Sequence, residues 1–394
     1  MTVRDEHYDV VIVGGAVTGS SIAYHLANDP DFRGTVLVVE QDPSYRHAAS
    51  ALSAGSIRQQ FATAINIQIS RYGIDFLRRA PNLLAIGDER PDLGFHLRGY
   101  LFLATEAASA ELAVNYALQR GLEVAVRWMT RRELAREFPW LTTADLAAGC
   151  LGLSDEGWFD GYSLMQAFRR KARALGVEYR RAKAIALERT GRTVARVRLD
   201  DGGAIACGAL VNAAGTGAPA LARSAGIDLP IAIRKRTMFP FACKAAIEEF
   251  PILIAPGGLN VRPEGSGFIC GAAPPHECDQ EATDFEVDYA SFEADIWPRL
   301  AERVAAFAEI KPGPAWAGHF DLNTVDHNAI VGVVPGWDNF YLACGFSGHG
   351  LQQSPAVGRG IAELVVHGGY RALDLSPLGL ARLTRPSAIE PALG

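Results

Sequence analysis

The stretch Val10-Val11-Ile12-Val13-Gly14-Gly15-Ala16-Val17-Thr18-Gly19 leads from an apolar strand through a glycine-rich turn into the start of a helix. A second apolar run follows that helix, Thr35-Val36-Leu37-Val38-Val39, and it ends in the acid Glu40. This order of strand, glycine turn, helix, strand and acid is the βαβ fingerprint of a dinucleotide-binding unit. A glycine-rich turn in some other α/β fold is the alternative.

Each part of the fingerprint has a physical role. Gly14 permits the tight turn, and the N–H groups at the start of the helix near Gly15 hold a pyrophosphate. Gly19 lets the helix pack closely on the strand, and Glu40 is placed to accept hydrogen bonds from an adenosine ribose. Ala16 departs from the pattern, because its methyl group reduces the clearance for the phosphates. The cofactor-binding residues predicted in this unit are Gly14, Gly15, Ala16, Val17, Thr18, Gly19, Glu40 and Gln41.

Composition narrows the class of protein. The chain has 394 residues, of which 49% are hydrophobic, and a net charge of −6, which argues against nucleic acid or an anionic membrane as the main partner. The first apolar run is a short strand, and no apolar run is long enough to span a bilayer. Its six cysteines include no Cys-x-x-Cys pair, so we expect reduced core thiols in a cytoplasmic protein, with no metal site.

Hydrophobic periodicity and turn residues divide the chain into α/β segments at both ends and in the middle, with β-rich segments between them. We expect the Pro-rich tail, residues 375–394, to be loosely held. The pattern predicts helices over 64–79, 106–120, 131–138, 161–175, 217–225, 290–307 and 354–366. It predicts strands over 99–104, 177–179, 184–189, 194–199, 204–207, 210–215, 237–242, 258–263, 267–271 and 339–344.

A second glycine turn lies near the C-terminus, where Gly345-Phe346-Ser347-Gly348-His349-Gly350-Leu351 joins a predicted strand to a predicted helix. A nicotinamide enzyme with one fingerprint has no need of it. A bound flavin does, because its ring lies far from the adenosine and gains negative charge on reduction, which a helix N-terminus stabilises. An ordinary αβ connection is the alternative interpretation.

The chain resembles the D-amino-acid oxidase, glycine oxidase and sarcosine oxidase superfamily over nearly its whole length, and within it the FAD-dependent oxidoreductase-domain proteins. The resemblance rests on VIVGGAVTGSSIAYHL, on the run Ser50–Arg58, and on LVNAAG, AGHFDLNTVDHNAIVG and CGFSGHGLQQSPAVGRGIAEL. It implies bound FAD and oxidation of a C–N bond by hydride transfer to flavin N5, followed by imine hydrolysis. The partners are then an amine or amino acid and either O2 or an electron carrier.

The resemblance also implies the architecture. We expect an α/β FAD-binding Rossmann-type domain interleaved with an α+β substrate domain built on a mainly antiparallel sheet. The predicted FAD-binding domain comprises residues 1–85, 150–228 and 321–394, and the predicted substrate domain comprises 86–149 and 229–320. Further cofactor-binding residues are then expected at Ser53, Ala54, Gly55, Ala184, Ala214, Gly215, Gly345, Ser347, Gly348, His349, Gly350, Leu351 and Gln352.

Three residues are candidate catalytic groups. Arg58 matches an arginine on the flavin face, where a cation stabilises reduced flavin or a substrate carboxylate, and a surface arginine on a loop is the alternative. Arg262 is a candidate carboxylate anchor with a structural role as the alternative, and His349 contacts flavin or substrate or is an ordinary turn residue. The roles of His319 and His327 stay open.

Several family features are missing from the sequence. No cysteine lies in 317–326, and Leu52 stands where some relatives attach flavin through a histidine, so we expect noncovalent FAD. The segment Gly267–Gly271 lacks the lysine that speeds reaction with oxygen in sarcosine oxidases, the family arginine around Phe320 is absent, and Gln352 and Gln353 replace a lysine. A non-catalytic flavoprotein that assists assembly of a respiratory complex is therefore the alternative function, and a nicotinamide-dependent dehydrogenase is a third.

Overall fold

The computed structural model describes residues 6–274 and 278–384. Its strands are β1 (Glu6–Val13), β2 (Val36–Glu40), β3 (Ser56–Ile57), β4 (His96–Leu97), β5 (Tyr100–Thr105), β6 (Val126–Thr130), β7 (Leu146–Gly152), β8 (Gly157–Trp158), β9 (Glu178–Arg181), β10 (Ala184–Thr190), β11 (Thr193–Leu199), β12 (Ala204–Asn212), β13 (Ile231–Cys243), β14 (Ile252–Ala255), β15 (Leu259–Glu264), β16 (Gly267–Gly271), β17 (Ile310–Pro312), β18 (Trp316–Asn323), β19 (Ile330–Val333) and β20 (Phe340–Cys344).

The helices begin and end close to the predicted positions in most cases. They are α1 (Val17–Asn28), α2 (Ala49–Leu52), α3 (Ala64–Leu83), α4 (Glu106–Gly121), α5 (Arg131–Glu137), α6 (Gly161–Ala174), α7 (Ala218–Ser224), α8 (Tyr289–Ser291), α9 (Trp297–Arg303) and α10 (Gly350–His367).

The first sheet runs in the order β10-β11-β12-β1-β2-β9, and β20 pairs with β12 and with β19. Strand β1 is parallel to both β12 and β2, with Val13 opposite Asn212 on one side and Val39 on the other. The carboxyl ends of these three strands therefore meet at one edge of the sheet, where ligands bind in open α/β folds. Alternate residues of β1 pack into different hydrophobic clusters, which explains its unbroken apolar run.

Helices α1 and α10 pack closely under this sheet. A Cβ on Gly358 of α10 would lie 2.1 Å from Oγ of Ser21 on α1, so only glycine permits the approach. The Ser21 hydroxyl donates to the carbonyl oxygen of Ser354 at 2.8 Å. The two glycine turns of the sequence are thus carried by helices that pack against each other.

The second sheet is mixed and runs in the order β17-β13-β16-β15-β14-β5-β7-β6, with β18 added to β13. Strand β14 is parallel to β5, and the other pairings of this sheet among the described residues are antiparallel. Its two faces follow from the period of two in a strand. One face packs into the core and carries Leu101, Leu103, Leu253, Leu259 and Val261. The other carries Tyr100, Ile252, Ile254, Asn260 and Arg262.

Three predicted elements differ in the structure for local reasons. Helix α10 begins at Gly350, not at residue 354, and α3 continues past Pro81 to Leu83 because a proline this near the end removes few hydrogen bonds. The predicted strands 204–207 and 210–215 are the single strand β12, which ends at Asn212.

The helix predicted over 290–307 is interrupted by a π-turn at Phe292–Ile296 and ends at Arg303. The N–H of Trp297 donates to the carbonyl of Phe292, five residues earlier. Pro298 follows and has no N–H to continue the regular ladder, so the turn widens before it.

Two further expectations need correction. Leu375 and Leu378 are fully buried, so the tail is anchored up to residue 384, and residues 385–394 lie outside the described part. All six cysteines are free, but Cys278 is exposed and Cys243 is half-buried, so these two are not core thiols.

The domain division stays a prediction, and its boundaries at 149/150 and 320/321 fall inside strands β7 and β18. No helix of the described residues is long and apolar enough to cross a membrane.

Candidate active site

The N-terminal turn has the close approaches that a dinucleotide site needs. Gly14 has φ of 97°, and a Cβ there would lie 2.4 Å from the carbonyl oxygen of Ala213. A Cβ on Gly19 would lie 1.8 Å from the carbonyl oxygen of Gly14. Ala16 has φ of −69° in the extended region, so its position does not need the freedom of glycine. The departure from the fingerprint therefore leaves the backbone of the turn unchanged.

The start of α1 is open to an anion. Its N-cap, Ala16, offers no side-chain cap, and the neighbouring N–H of Val17 donates weakly, at 3.3 Å, to Oγ of Ser50. Glu40 accepts from the N–H of Gly15 at 2.7 Å and from that of Asp42 at 2.8 Å. Burial raises the pKa of the Glu40 carboxyl, while these two hydrogen bonds oppose the rise. Uncapped amides beside a fixed carboxylate suit a pyrophosphate and its ribose.

A cavity of about 190 Å³ lies between the open face of the second sheet and the start of α10. Three parts of the chain that are distant in sequence form it: the segment after α2, the open face of the second sheet, and the C-terminal turn with the start of α10. Its lining residues are Ser53, Ala54, Ser56, Arg58, Tyr100, Met238, Ile252, Ile254, Gly258, Asn260, Val261, Arg262, Gly348, His349, Leu351 and Gln352. The three predicted catalytic residues therefore share one cavity.

The C-terminal turn is held by a buried carboxylate that the sequence did not reveal. Asp321 on β18 accepts from the N–H of Gly345 at 2.5 Å, and its carbonyl accepts from the N–H of Ser347 at 2.9 Å. Gly345 and Ser347 have φ of 67° and 52°, so the turn is left-handed at both positions. Helix α10 then begins after His349 without a side-chain cap. Its first amides lie beside the cavity and are available to an anionic ligand edge.

Arg58 and His349 form a pair across the cavity wall. A terminal guanidinium nitrogen of Arg58 lies 3.1 Å from Nε2 of His349. The backbone N–H of Arg58 donates to Oε1 of Gln352 at 3.0 Å. Burial, reinforced by repulsion from the Arg58 guanidinium, lowers the pKa of His349 to about 3. His349 is therefore neutral, and the guanidinium donates to its Nε2. The Arg58 guanidinium also packs over the ring of Phe61, 4.6 Å from its centroid.

Glu156 is a second buried acid that sequence reasoning missed. It is fully buried and accepts from the N–H of Gln59 at 2.7 Å, from that of Gln60 at 3.1 Å and from Nε2 of Gln60 at 2.8 Å. Burial raises its pKa to about 7, and the positive charge of Arg58 opposes that rise. No periodic pattern marks this acid, since it lies in the loop between β7 and β8.

Arg262 lines the cavity but is engaged by the protein. Its Nε donates to the carbonyl of Ala54 at 3.0 Å, and one terminal nitrogen donates both to the Pro263 carbonyl at 2.7 Å and to the Glu264 carboxylate. These contacts tie β15 to the segment that precedes Arg58. They favour the structural alternative for Arg262, and its role as a carboxylate anchor stays a prediction.

Other predicted residues lie outside the cavity wall. The ring of Phe285 stacks between His47 and His319, at centroid distances of 4.4 and 4.0 Å, and His319 also contacts the carbonyl of Asp284 at 2.5 Å. His327 has φ of 54°, in the left-handed region. Ala214 and Gly215 follow β12 beside Gly14, and Ala184 begins β10 two residues after Ala182, whose N–H donates to the Glu40 carbonyl at 3.0 Å.

Comparison with known proteins agrees with this geometry. A family model described as "FAD dependent oxidoreductase", DAO, matches residues 9–364. The chain belongs to the DAO family of FAD-dependent oxidoreductases. It is 39% identical to FAD-dependent oxidoreductase domain-containing protein 1 of Xenopus laevis, over 96% of this chain and 83% of that protein.

Two solved structures have the same fold as this DAO-family chain. L-proline dehydrogenase from P. horikoshii superposes with a TM-score of 0.82 at 22% identity, over 96% of this chain and 98% of that one. Glycine oxidase from Geobacillus kaustophilus superposes with a TM-score of 0.81 at 23% identity, over 96% and 99%. The prediction of the family and of FAD as cofactor is confirmed.

The DAO-family site was partly hidden in the sequence. Tyr100, Met238, Ile252, Ile254 and Asn260 line the cavity, and none was singled out beforehand. Alternation along β14 and β15 could have shown which residues share a face, but not that this face is turned toward the C-terminal turn.

Asp321 makes the stability of the fold depend on pH. Burial raises its pKa to about 6, so the folded chain binds this proton more tightly than the unfolded chain does. Stability from this group is therefore present at about pH 4 and is lost as the pH rises toward about 7. Between about pH 4 and pH 7, we expect the unfolding free energy of Asp321→Asn to fall by about 1–3 kcal/mol less than that of the parent protein. Urea denaturation at the two pH values measures this difference.

The exposed Asp338 offers a matched control, because Asp338→Asn removes a carboxylate that solvent screens. An Asp321→Asn protein with the same pH dependence as the parent would contradict the assignment.

Proposed function

We propose that this DAO-family enzyme oxidises the C–N bond of a secondary amine or an amino acid. The observation that carries the proposal is the single cavity that joins Arg58 and the uncapped start of α10 to the apolar face of the second sheet. Bound FAD would supply the hydride acceptor for the carbon next to the amine nitrogen, and the imine product would hydrolyse in water. The two solved structures with the same fold are those of a glycine oxidase and an L-proline dehydrogenase, whose names specify amino acids as substrates.

The residues of this chain supply orientation and electrostatics. The open amides at Gly350 and Leu351 and the Arg58 cation lie where negative charge on a bound ring is stabilised. Tyr100, Ile252 and Ile254 form a low-dielectric wall, which favours the unprotonated form of an amine. Neutral His349 accepts a hydrogen bond from the Arg58 guanidinium and so keeps it in place. A protonated His349 would instead repel the guanidinium.

We further propose that FAD is held noncovalently. The cofactor site is built from backbone amides and one acid, and a Cβ at Gly318 would lie 2.9 Å from Leu52, so this part of β18 packs on an aliphatic side chain. Flavin should therefore appear in the supernatant after acid precipitation of the protein.

The test is to mix the purified holoprotein anaerobically with a panel of N-methyl and dicarboxylic amines. Reduction of the flavin is measured as bleaching of its absorbance. We expect at least one amine to bleach it, and Arg58→Met to slow the reaction by about a hundredfold. Arg189→Met is a matched control, because Arg189 packs over Trp337 away from the cavity. Absence of bleaching across the panel would count against amine oxidation.

That outcome would favour the second candidate, a flavoprotein that assists assembly of a respiratory complex without turnover. One observation supports it: the described lining contains no lysine, and Arg262 is engaged by Ala54, Pro263 and Glu264. The rate at which air restores the colour of the bleached protein distinguishes the two electron acceptors. Fast recovery indicates O2, and slow recovery indicates an electron carrier.

A further inference from the structure

We propose that the cavity selects amines whose reacting carbon bears a neutral polar group instead of a carboxylate, and that the side-chain amides of Asn260 and Gln352 recognise that group. The inference rests on the proposed amine oxidation and names the substrate class for the same site.

The cations of the cavity are already compensated. Each of the three guanidinium nitrogens of Arg262 donates within the protein, and its ion pair with Glu264 supplies a counter-charge. Arg58 donates to neutral His349 and lies over Phe61, and under the proposed function its charge is offset by the bound flavin ring. A substrate carboxylate would therefore enter a cavity whose guanidinium groups are already engaged, and it would lose its hydration without gaining a dedicated cation.

The neutral amides, in contrast, have hydrogen-bonding capacity to spare. Asn260 lines the cavity, and within the described residues its side chain has no hydrogen-bond partner. Its Oδ1 lies over Gly271, 3.7 Å from where a Cβ would be, on the same side as Met238. Gln352 uses Oε1 to accept from the N–H of Arg58, which leaves its Nε2 for a ligand.

The two amides line the same cavity, and apolar residues of the second sheet lie beside them. Asn260 is on β15, opposite Ile254 of β14, and Ile252 is opposite Tyr100 of β5. Gln352 is in the first turn of α10. A small group that both donates and accepts, such as a carboxamide or a hydroxyl, satisfies both amides without adding charge.

Sarcosine and sarcosinamide are a matched pair of probes, because they share the N-methyl amine and differ in the carboxylate. We expect the anaerobic bleaching rate at limiting probe concentration, corrected for the unprotonated fraction, to be at least about tenfold higher for sarcosinamide. Binding without reaction is measured with acetamide and acetate, as a perturbation of the oxidised flavin spectrum. Acetamide is expected to bind more tightly.

Two variants separate the contributions. Asn260→Leu should weaken acetamide binding by about tenfold, the loss expected for one good hydrogen bond, and leave acetate binding nearly unchanged. Glu264→Gln removes the counter-charge of Arg262 and should raise acetate affinity relative to acetamide by about threefold, since Glu264 is half exposed. Glu248→Gln is the control, because Glu248 is an exposed acid on the loop between β13 and β14.

Faster bleaching by sarcosine, or tighter binding of acetate to the parent protein, would overturn the inference. An unchanged acetamide affinity in Asn260→Leu would overturn the role of Asn260. If no amine of this pair or of the wider panel bleaches the flavin but acetamide binds more tightly than acetate, the proposed oxidation fails while the neutral recognition stands.

Discussion

Gly19→Ala should abolish FAD binding and lower the free energy of unfolding by about 3 kcal/mol or more. The new methyl carbon would lie 1.8 Å from the carbonyl oxygen of Gly14, which is backbone and cannot rotate away. Relief requires α1 to move off the end of β1, and that movement displaces the amides that are predicted to hold the pyrophosphate. Urea denaturation of the apoprotein measures the loss of stability, and flavin fluorescence quenching measures FAD affinity.

Gly121→Ala is a matched control for this prediction. Gly121 is also helical, at the end of α4, and a Cβ there would meet nothing within 4 Å. We expect this change to be neutral or to stabilise by about 0.5–1 kcal/mol. Wild-type FAD affinity in Gly19→Ala would refute the packing argument.

The second large effect concerns the C-terminal segment. Arg382 and Asp326 form an ion pair in which both side chains are less than a tenth exposed, with Nε 2.8 Å from Oδ2. A second nitrogen of Arg382 donates to the carbonyl of Asn328 at 3.0 Å. Arg382→Met leaves the Asp326 carboxylate buried without its cation, so we expect a loss of about 3–5 kcal/mol of unfolding free energy.

Arg192→Met provides the comparison, because the Arg192–Asp338 pair is more than half exposed on both sides. Its removal should cost less than about 1 kcal/mol. If Arg382→Met were equally mild, the tail would be held by Leu375 and Leu378 alone. Thermal unfolding followed by circular dichroism distinguishes the two outcomes.

Local patterns predicted much of the fold. Gly14, Gly19 and Glu40 lie within one βαβ unit, so their spacing alone indicates their roles, and the structure places them at one sheet edge. The C-terminal glycine turn was also predicted, although its helix begins four residues earlier than residue 354. Residues 375–384 of the tail and Cys278 were misjudged because composition does not reveal a partner such as Asp326 or the solvent exposure of one thiol.

The catalytic candidates show the limit of sequence reasoning. Arg58, Arg262 and His349 were chosen from separate motifs, and the structure brings them to one cavity. It also changes what they can do: His349 is kept neutral by burial and by Arg58, and Arg262 is engaged by Ala54 and Glu264. A resemblance names such residues, but their charge state depends on neighbours that are remote in sequence.

The sequence by itself determined the parts of this protein that depend on short spacing: the nucleotide-binding turn, the acid that follows it and the second glycine turn. Only the tertiary structure decided that Glu156, Asp321 and Asn260 lie at or beside the cavity: the two acids bind backbone amides that are remote in sequence, and Asn260 lines the cavity from β15. The physical reason is desolvation. Burial raises the pKa of a carboxyl group, and it can leave a side-chain amide without a hydrogen-bond partner in the protein. Burial is a property of packing that no local pattern records.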